Sequence, residues 1–196
     1  MRRLFVALVL GLLVVAPAGV GVRSAWAQSG GFGFADETPI TLNVAEIEVV
    51  NDYVSPMKPP NIEYQLQLTP AEVVRLWVQD RLKAAGSSGK ARVVIKNASI
   101  VEVNLPRTTG VKGWFTTDQS QRYDGRVEVE IQVDMPAKGY AGSTSVVVTS
   151  SQSVSEDVTL NQREKTWSQL VRDMARDMDA QLAKGIRDNL FAAMIL

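Results

Sequence analysis

Three carboxylates are the residues best spaced to do chemistry. Glu128, Glu130 and Asp134 fall in the run Arg126-Val127-Glu128-Val129-Glu130-Ile131-Gln132-Val133-Asp134-Met135. Paired carboxylates can act as general acid and base, or hold a cation. Here they alternate with apolar residues, a period of two that any half-buried strand requires. The expectation is therefore a solvated sheet face. The chain contains no histidine and no cysteine. Those absences remove the usual general base, the commonest metal ligand and the thiol nucleophile, and with them Ser-His-Asp triads and conventional zinc sites. A carboxylate hydrolase would need two close carboxylates in a cleft, one with a raised pKa. No catalytic, cofactor-binding or metal-binding residue is expected, and the chain reads as non-enzymatic with no cofactor.

A second group sits in the connection 106–122, which sets Lys112, Trp114 and Phe115 close to Gly110 and Gly113. Connections above about 12–15 residues without structure of their own are uncommon and often functional. An aromatic pair beside a lysine suits a lipid headgroup region or a protein surface, so Lys112, Trp114 and Phe115 are the candidate partner-contact residues. The alternative is that Trp114 and Phe115 cover one end of the core or extend the flanking strands. A third group is the polar run from Thr149 through Ser155. It suits hydrogen bonding to a sugar or peptide, an edge strand open to strand addition, or a plain solvated strand. Met174 and Met178 lie on a helical stripe and read as core.

These groups need elements to carry them. A first strand is expected from about Ile40 to Val50, with a bulge near Ala45-Glu46 to keep Ile40, Leu42, Val44, Ile47 and Val49 on one face. Residues 51–68, with Pro56, Pro59 and Pro60, read as an irregular connection. Thr69-Pro70-Ala71-Glu72 forms a capping box with proline at the first helical position. The helix it opens presents Val74, Trp77, Val78, Leu82 and Ala85 and ends at Gly86. A second strand covers roughly Arg92 to Leu105, with Val93, Ile95, Val101, Val103 and Leu105 on one parity. The third, about 126–135, is the clearest element, and a Ser/Thr-rich fourth spans about Ser143 to Val154. A long helix, about Asn161 to Leu190, carries the stripe Trp167, Leu170, Met174, Met178, Leu182, Ile186 and Leu190. The order β-α-β-β-β-α predicts an α+β fold. It is a two-layer sandwich of a four-stranded, mainly antiparallel sheet with two helices on one face, the first two strands being parallel.

The N-terminus reads as a secretory leader. Arg2 and Arg3 precede an apolar run of about a dozen residues, short of the roughly 20 that a spanning helix needs. Ala25-Trp26-Ala27 offers a small-x-small site, so cleavage is expected after Ala27. The expected organisation is a signal peptide over 1–27, a flexible Gly-rich linker over 28–39 on which Phe32 and Phe34 could still dock, and one domain over 40–196. The whole chain balances 21 basic against 21 acidic residues. Losing Arg2, Arg3 and Arg23 with the leader leaves a small acidic excess, which gives no electrostatic reason to bind nucleic acid.

An export signal followed by β-α-β-β-β-α resembles the periplasmic auxiliary components of bacterial lipid-transport ABC systems and related outer-membrane assembly lipoproteins. The pattern runs from about Thr41 to Leu190. It includes the Tyr123-Asp124-Gly125-Arg126 opening of the third strand and the Ser155-Glu156-Asp157-Val158 lead-in to the last helix. The layout is also similar to that of uncharacterised exported proteobacterial proteins. Those lipoproteins carry a lipidated cysteine, and this chain has none, so no stable membrane anchor is expected after cleavage. The resemblance implies a soluble periplasmic accessory protein that binds an envelope protein or lipid-transport complex, in lipid transport or outer-membrane maintenance. The alternative from the residues is a periplasmic module for a small ligand or glycan.

Overall fold

The computed structural model describes residues 32–106 and 119–195. The expected leader, its cleavage after Ala27 and the first part of the expected linker lie outside those residues. From Phe32 the chain already belongs to the packed body. Phe34 is buried, stacks edge-on against Phe32 at 6.1 Å, and donates its N–H to Asp80 Oδ2 at 2.9 Å. Within the stretch expected as a linker, Phe32 and Phe34 thus find apolar cover on the domain, while Ala35 to Pro39 are exposed.

The stretch expected as one bulged strand is two. Ile40–Leu42 (β1) and Glu46–Asn51 (β2) join different sheets, and the link between them buries Val44 completely. Between β2 and the next strands lies helix α1, Pro70–Arg81. Its capping box is formed: Glu72 N–H donates to Thr69 Oγ1 at 3.2 Å, and Thr69 N–H donates to Glu72 Oε2 at 2.8 Å. Such a cap is worth about 1 kcal/mol. The helix does not reach Gly86. Leu82 turns into extended backbone, and Leu82–Ala84 (β3) pairs in parallel with β1. The C-terminal tail closes the other side of β1 through the Leu42–Met194 bridge.

The main sheet holds β2, Lys90–Asn104 (β4), Gln119–Met135 (β5) and Tyr140–Ser155 (β6), in the order β2-β4-β5-β6. β2 runs parallel to β4, and the other two pairs are antiparallel. Helix α2, Leu160–Asn189, packs mainly on β6, while α1 touches β4. The observed class is the expected α+β one: among the described residues, two helices and a four-stranded, mostly antiparallel sheet, with a two-stranded sheet added.

The core forms where periodicity and burial agree. Val127, Val129, Ile131, Val133 and Met135 face inward from β5, and all seven residues of the α2 stripe are buried. Tyr123 meets Trp167 edge to face at 5.6 Å. Gly125 leaves room for Met174, whose sulfur lies 2.3 Å from where a Cβ would stand. β4 departs from expectation. Its register with β5 shifts between Ile95 and Asn97, so the inward residues are Ala91, Val93, Ile95, then Ala98 and Ile100. That bulge turns Val101 and Val103 to the opposite face, because one extra residue inverts every later side chain.

Between the helices, buried Arg81 pairs with the half-buried Asp179. Asp179 Oδ1 accepts from Arg81 Nε and Trp77 Nε1, both at 2.7 Å, and Arg81 also donates to the Thr38 carbonyl. This ties α1, α2 and the entry to β1 together. No helix among the described residues is long and apolar enough to cross a membrane.

Candidate functional site

The carboxylates singled out from sequence lie on the sheet face away from the helices, and most are engaged by cations of the same face. Glu128 meets Arg126 at 2.6 Å, Glu130 pairs with Lys96, and Asp124 is held by Arg122 at 2.7 Å and by the Ser151 hydroxyl at 2.7 Å. Lys90 reaches Glu46 and Glu48 at 2.8 and 2.9 Å. Asp134 stands opposite Lys90 in the register. The hydrogen bond from Lys96 holds the Glu130 carboxyl below its usual range, and that from Arg122 does the same for Asp124. A general acid needs the reverse shift. These side chains form a ladder that pairs charge along a strand surface. One concavity on this face, lined by Lys90, Arg92, Glu130, Gln132 and Ser143 among others, opens widely to solvent. A small-ligand site is usually a deep apolar pocket with a few convergent polar groups, which this is not.

The polar run 149–155 lies on β6, which is an edge of the main sheet. The two edges are built differently. β2 has 6 residues, carries Glu46 and Glu48, and locks both to Lys90 on β4. β6 has 16 residues, Tyr-Ala-Gly-Ser-Thr-Ser-Val-Val-Val-Thr-Ser-Ser-Gln-Ser-Val-Ser, without a charge or a proline. Exposed edges normally carry lysine, proline, a bulge or a short length that discourages further pairing. β6 lacks the first two and is long. Its even-numbered residues from Thr144 to Val148 are buried under α2, where Asn189 Nδ2 donates to Thr144 Oγ1 at 3.2 Å. Ser143, Ser145, Thr149, Ser151 and Ser153 are exposed on the open face.

A third site was not legible in the sequence. Glu63, in the short turn Glu63–Gln65, is 3% exposed. Its Oε1 accepts from Tyr53 OH at 2.9 Å, Asn61 Nδ2 at 2.8 Å and the Ile100 N–H at 2.7 Å, and its Oε2 accepts from Ser55 Oγ at 3.1 Å. Burial, and next the bond to Glu63, push the Tyr53 hydroxyl well above the usual phenol range. This carboxylate pins both ends of the connection 53–61 to β4. The backbone adds Glu102 N–H to the Pro60 carbonyl at 2.8 Å and Ile62 N–H to the Ile100 carbonyl at 3.0 Å. The only sequence signal was weak: Tyr53 and Ser55 alternate with Val54 and Pro56, as in a segment with one attached side.

Lys112, Trp114 and Phe115, the residues expected to contact a partner, lie outside the described residues. Met174 and Met178 are buried in the core.

No family model matches this chain, and no curated protein matches its sequence. Some solved structures show a partial likeness to it. A minor lipoprotein from Acinetobacter baumannii is similar at 12% identity and a TM-score of 0.37, over 74% of this chain and 91% of that one. Rare lipoprotein B from Shewanella oneidensis is similar at 14% identity and a TM-score of 0.38, over 73% of this chain and 94% of that one. A Xanthomonas campestris protein of family DUF330 is similar at 14% identity and a TM-score of 0.33, over 77% and 96%.

Proposed function

We propose that this chain is a non-enzymatic accessory protein of the bacterial envelope, acting in the periplasm, that binds an extended segment of another envelope protein along the outer edge of β6. The observation that carries this reading is the uncharged, proline-free edge strand of 16 residues. An added strand would gain main-chain hydrogen bonds for affinity. Its outward side chains would join the hydroxyl row Ser143, Ser145, Thr149, Ser151 and Ser153, which sets a preference for small polar partners.

A second copy of this chain is the poorer occupant. α2 packs mainly over β6. Two copies paired antiparallel edge to edge would put both α2 helices on one face over strands about 4.8 Å apart, while packed helices need roughly 8–10 Å. A lone strand has no such obstacle. Export rests on the leader read over residues 1–27, and lipid transport or outer-membrane maintenance is the process the family resemblance implies. The absence of histidine and cysteine, and carboxylates shifted down rather than up, support a binding role over catalysis.

The test is capture from envelope extracts with wild-type protein and with the triple variant Ser145→Lys, Val147→Lys, Thr149→Lys. All three positions are exposed on the open face, and far-UV circular dichroism checks that the variant is folded. The expected result is a defined partner held by wild type and lost by the variant. Equal capture by both proteins refutes the edge assignment.

A further inference from the structure

The connection pinned by Glu63 presents apolar side chains to solvent. Val54 is 85% exposed and Met57 65% exposed. Pro56, Pro59 and Pro60 are exposed beside them, and between Asp52 and Glu63 the only charged residue is Lys58. Tyr64, 39% exposed, lies at the base. The loop has a fixed shape. Besides the bonds to Glu63, Asn61 N–H donates to the Lys58 carbonyl at 3.0 Å. Met57 holds φ at +54°, a region that costs a non-glycine residue about 1–2 kcal/mol. A strained, braced loop that exposes valine and methionine gains nothing for folding from that exposure. It does avoid the ordering cost of binding.

We infer that this loop is a membrane-contact wedge: Val54 and Met57 enter the headgroup–acyl boundary of an anionic bilayer while Lys58 meets lipid phosphate. Three observations favour a lipid surface over a protein. The spacing Pro56-Met57-Lys58-Pro59 matches a polyproline-helix ligand, but a positive φ at Met57 is incompatible with that helix, whose φ is about −75°. The exposed tip spans only residues 54–60, whereas a stable protein interface takes roughly 20–30 residues a side. Its one charge is positive, and Tyr64 at its base is an amphipathic residue of the type enriched at membrane interfaces. Two apolar side chains give weak, reversible attachment, comparable to a single lipid anchor at most.

The test uses residues 28–196, which contain the whole unit Phe32–Leu196 with its own core. The probe is sedimentation with mixed phosphatidylethanolamine–phosphatidylglycerol vesicles and with phosphatidylcholine vesicles. Val54→Asp with Met57→Asp should lower the bound-to-free ratio about 100-fold on the anionic vesicles, about ten-fold per side chain withdrawn. Lys58→Ala should lower it about five-fold, on the anionic vesicles alone. Val54→Ser with Met57→Ser is the milder second variant, and unchanged far-UV spectra confirm folding of each. Absence of wild-type binding, or binding undiminished in both double variants, overturns the inference. Equal wild-type binding to both vesicle types overturns the role of Lys58. The β6 edge plays no part in this experiment, so its outcome is independent of strand addition.

Discussion

Replacing Glu63 by alanine tests whether one carboxylate organises the exposed loop. In Glu63→Ala the Ile100 N–H, buried in β4, loses its acceptor, at a cost of about 1–3 kcal/mol. Tyr53, Ser55 and Asn61 lose theirs too. They lie nearer the surface and recover water, so we add about 2 kcal/mol for three bonds rather than their full strength. The sum is roughly 3–5 kcal/mol, a large part of the 5–15 kcal/mol that keeps a domain folded. With a urea slope of about 2 kcal/mol/M, the unfolding midpoint should fall by about 2 M. Glu63→Gln is the sharper control. Three of the four donors meet Oε1, which glutamine retains, and the Ser55 hydroxyl can turn from donor to acceptor. That variant should lose only about 1–2 kcal/mol. The assay is urea unfolding followed by far-UV circular dichroism, with hydrogen exchange of the Ile100 amide as the local readout. A midpoint shift under about 0.5 M for alanine, or equal shifts for alanine and glutamine, would refute the reasoning.

Two further outcomes follow from the other charged groups. Asp179→Ala leaves Arg81 buried without its carboxylate and should destabilise by about 3–5 kcal/mol, with Asp179→Asn less damaging; equal midpoints for wild type and the alanine variant would contradict this. Stability should be flat between about pH 5 and pH 8, because no histidine or cysteine is present to titrate there. Glu130 and Asp124 are shifted down, so their contribution is complete above the unfolded values of 4.5 and 3.8 and is lost as pH falls through the lower folded values. Lys96 is shifted up by Glu130, so its contribution is complete below 10.5 and is lost as pH rises through the higher folded value. Thermal melts across the range check both limbs, and a step near neutrality would count against the assignment.

The legible parts of the fold are those where one periodicity repeats under one-sided burial. β5 alternates without interruption, the α2 stripe keeps its spacing through Leu190, and Thr69 with Glu72 announces a helix start from four adjacent residues. The parts that were not legible depend on contacts distant in sequence. β1 and β3 have three residues each, too few to show a period, and exist because each completes the other. The bulge beside Lys96 leaves no trace in composition yet inverts Val101 and Val103. Glu63 gathers donors from 10, 8, 2 and 37 residues away, so no local window contains its site. The lack of charge in β6 was visible in the sequence. Its weight comes only from the sheet order, which puts that strand at an edge.

Hydrogen exchange of the captured complex, read by mass spectrometry over Tyr140–Ser155, tests the central claim most directly. Strand addition predicts that amides of β6 facing away from β5 exchange readily in the free protein and become protected when the partner binds. Protection that develops elsewhere while β6 exchanges as it does in the free protein would contradict it.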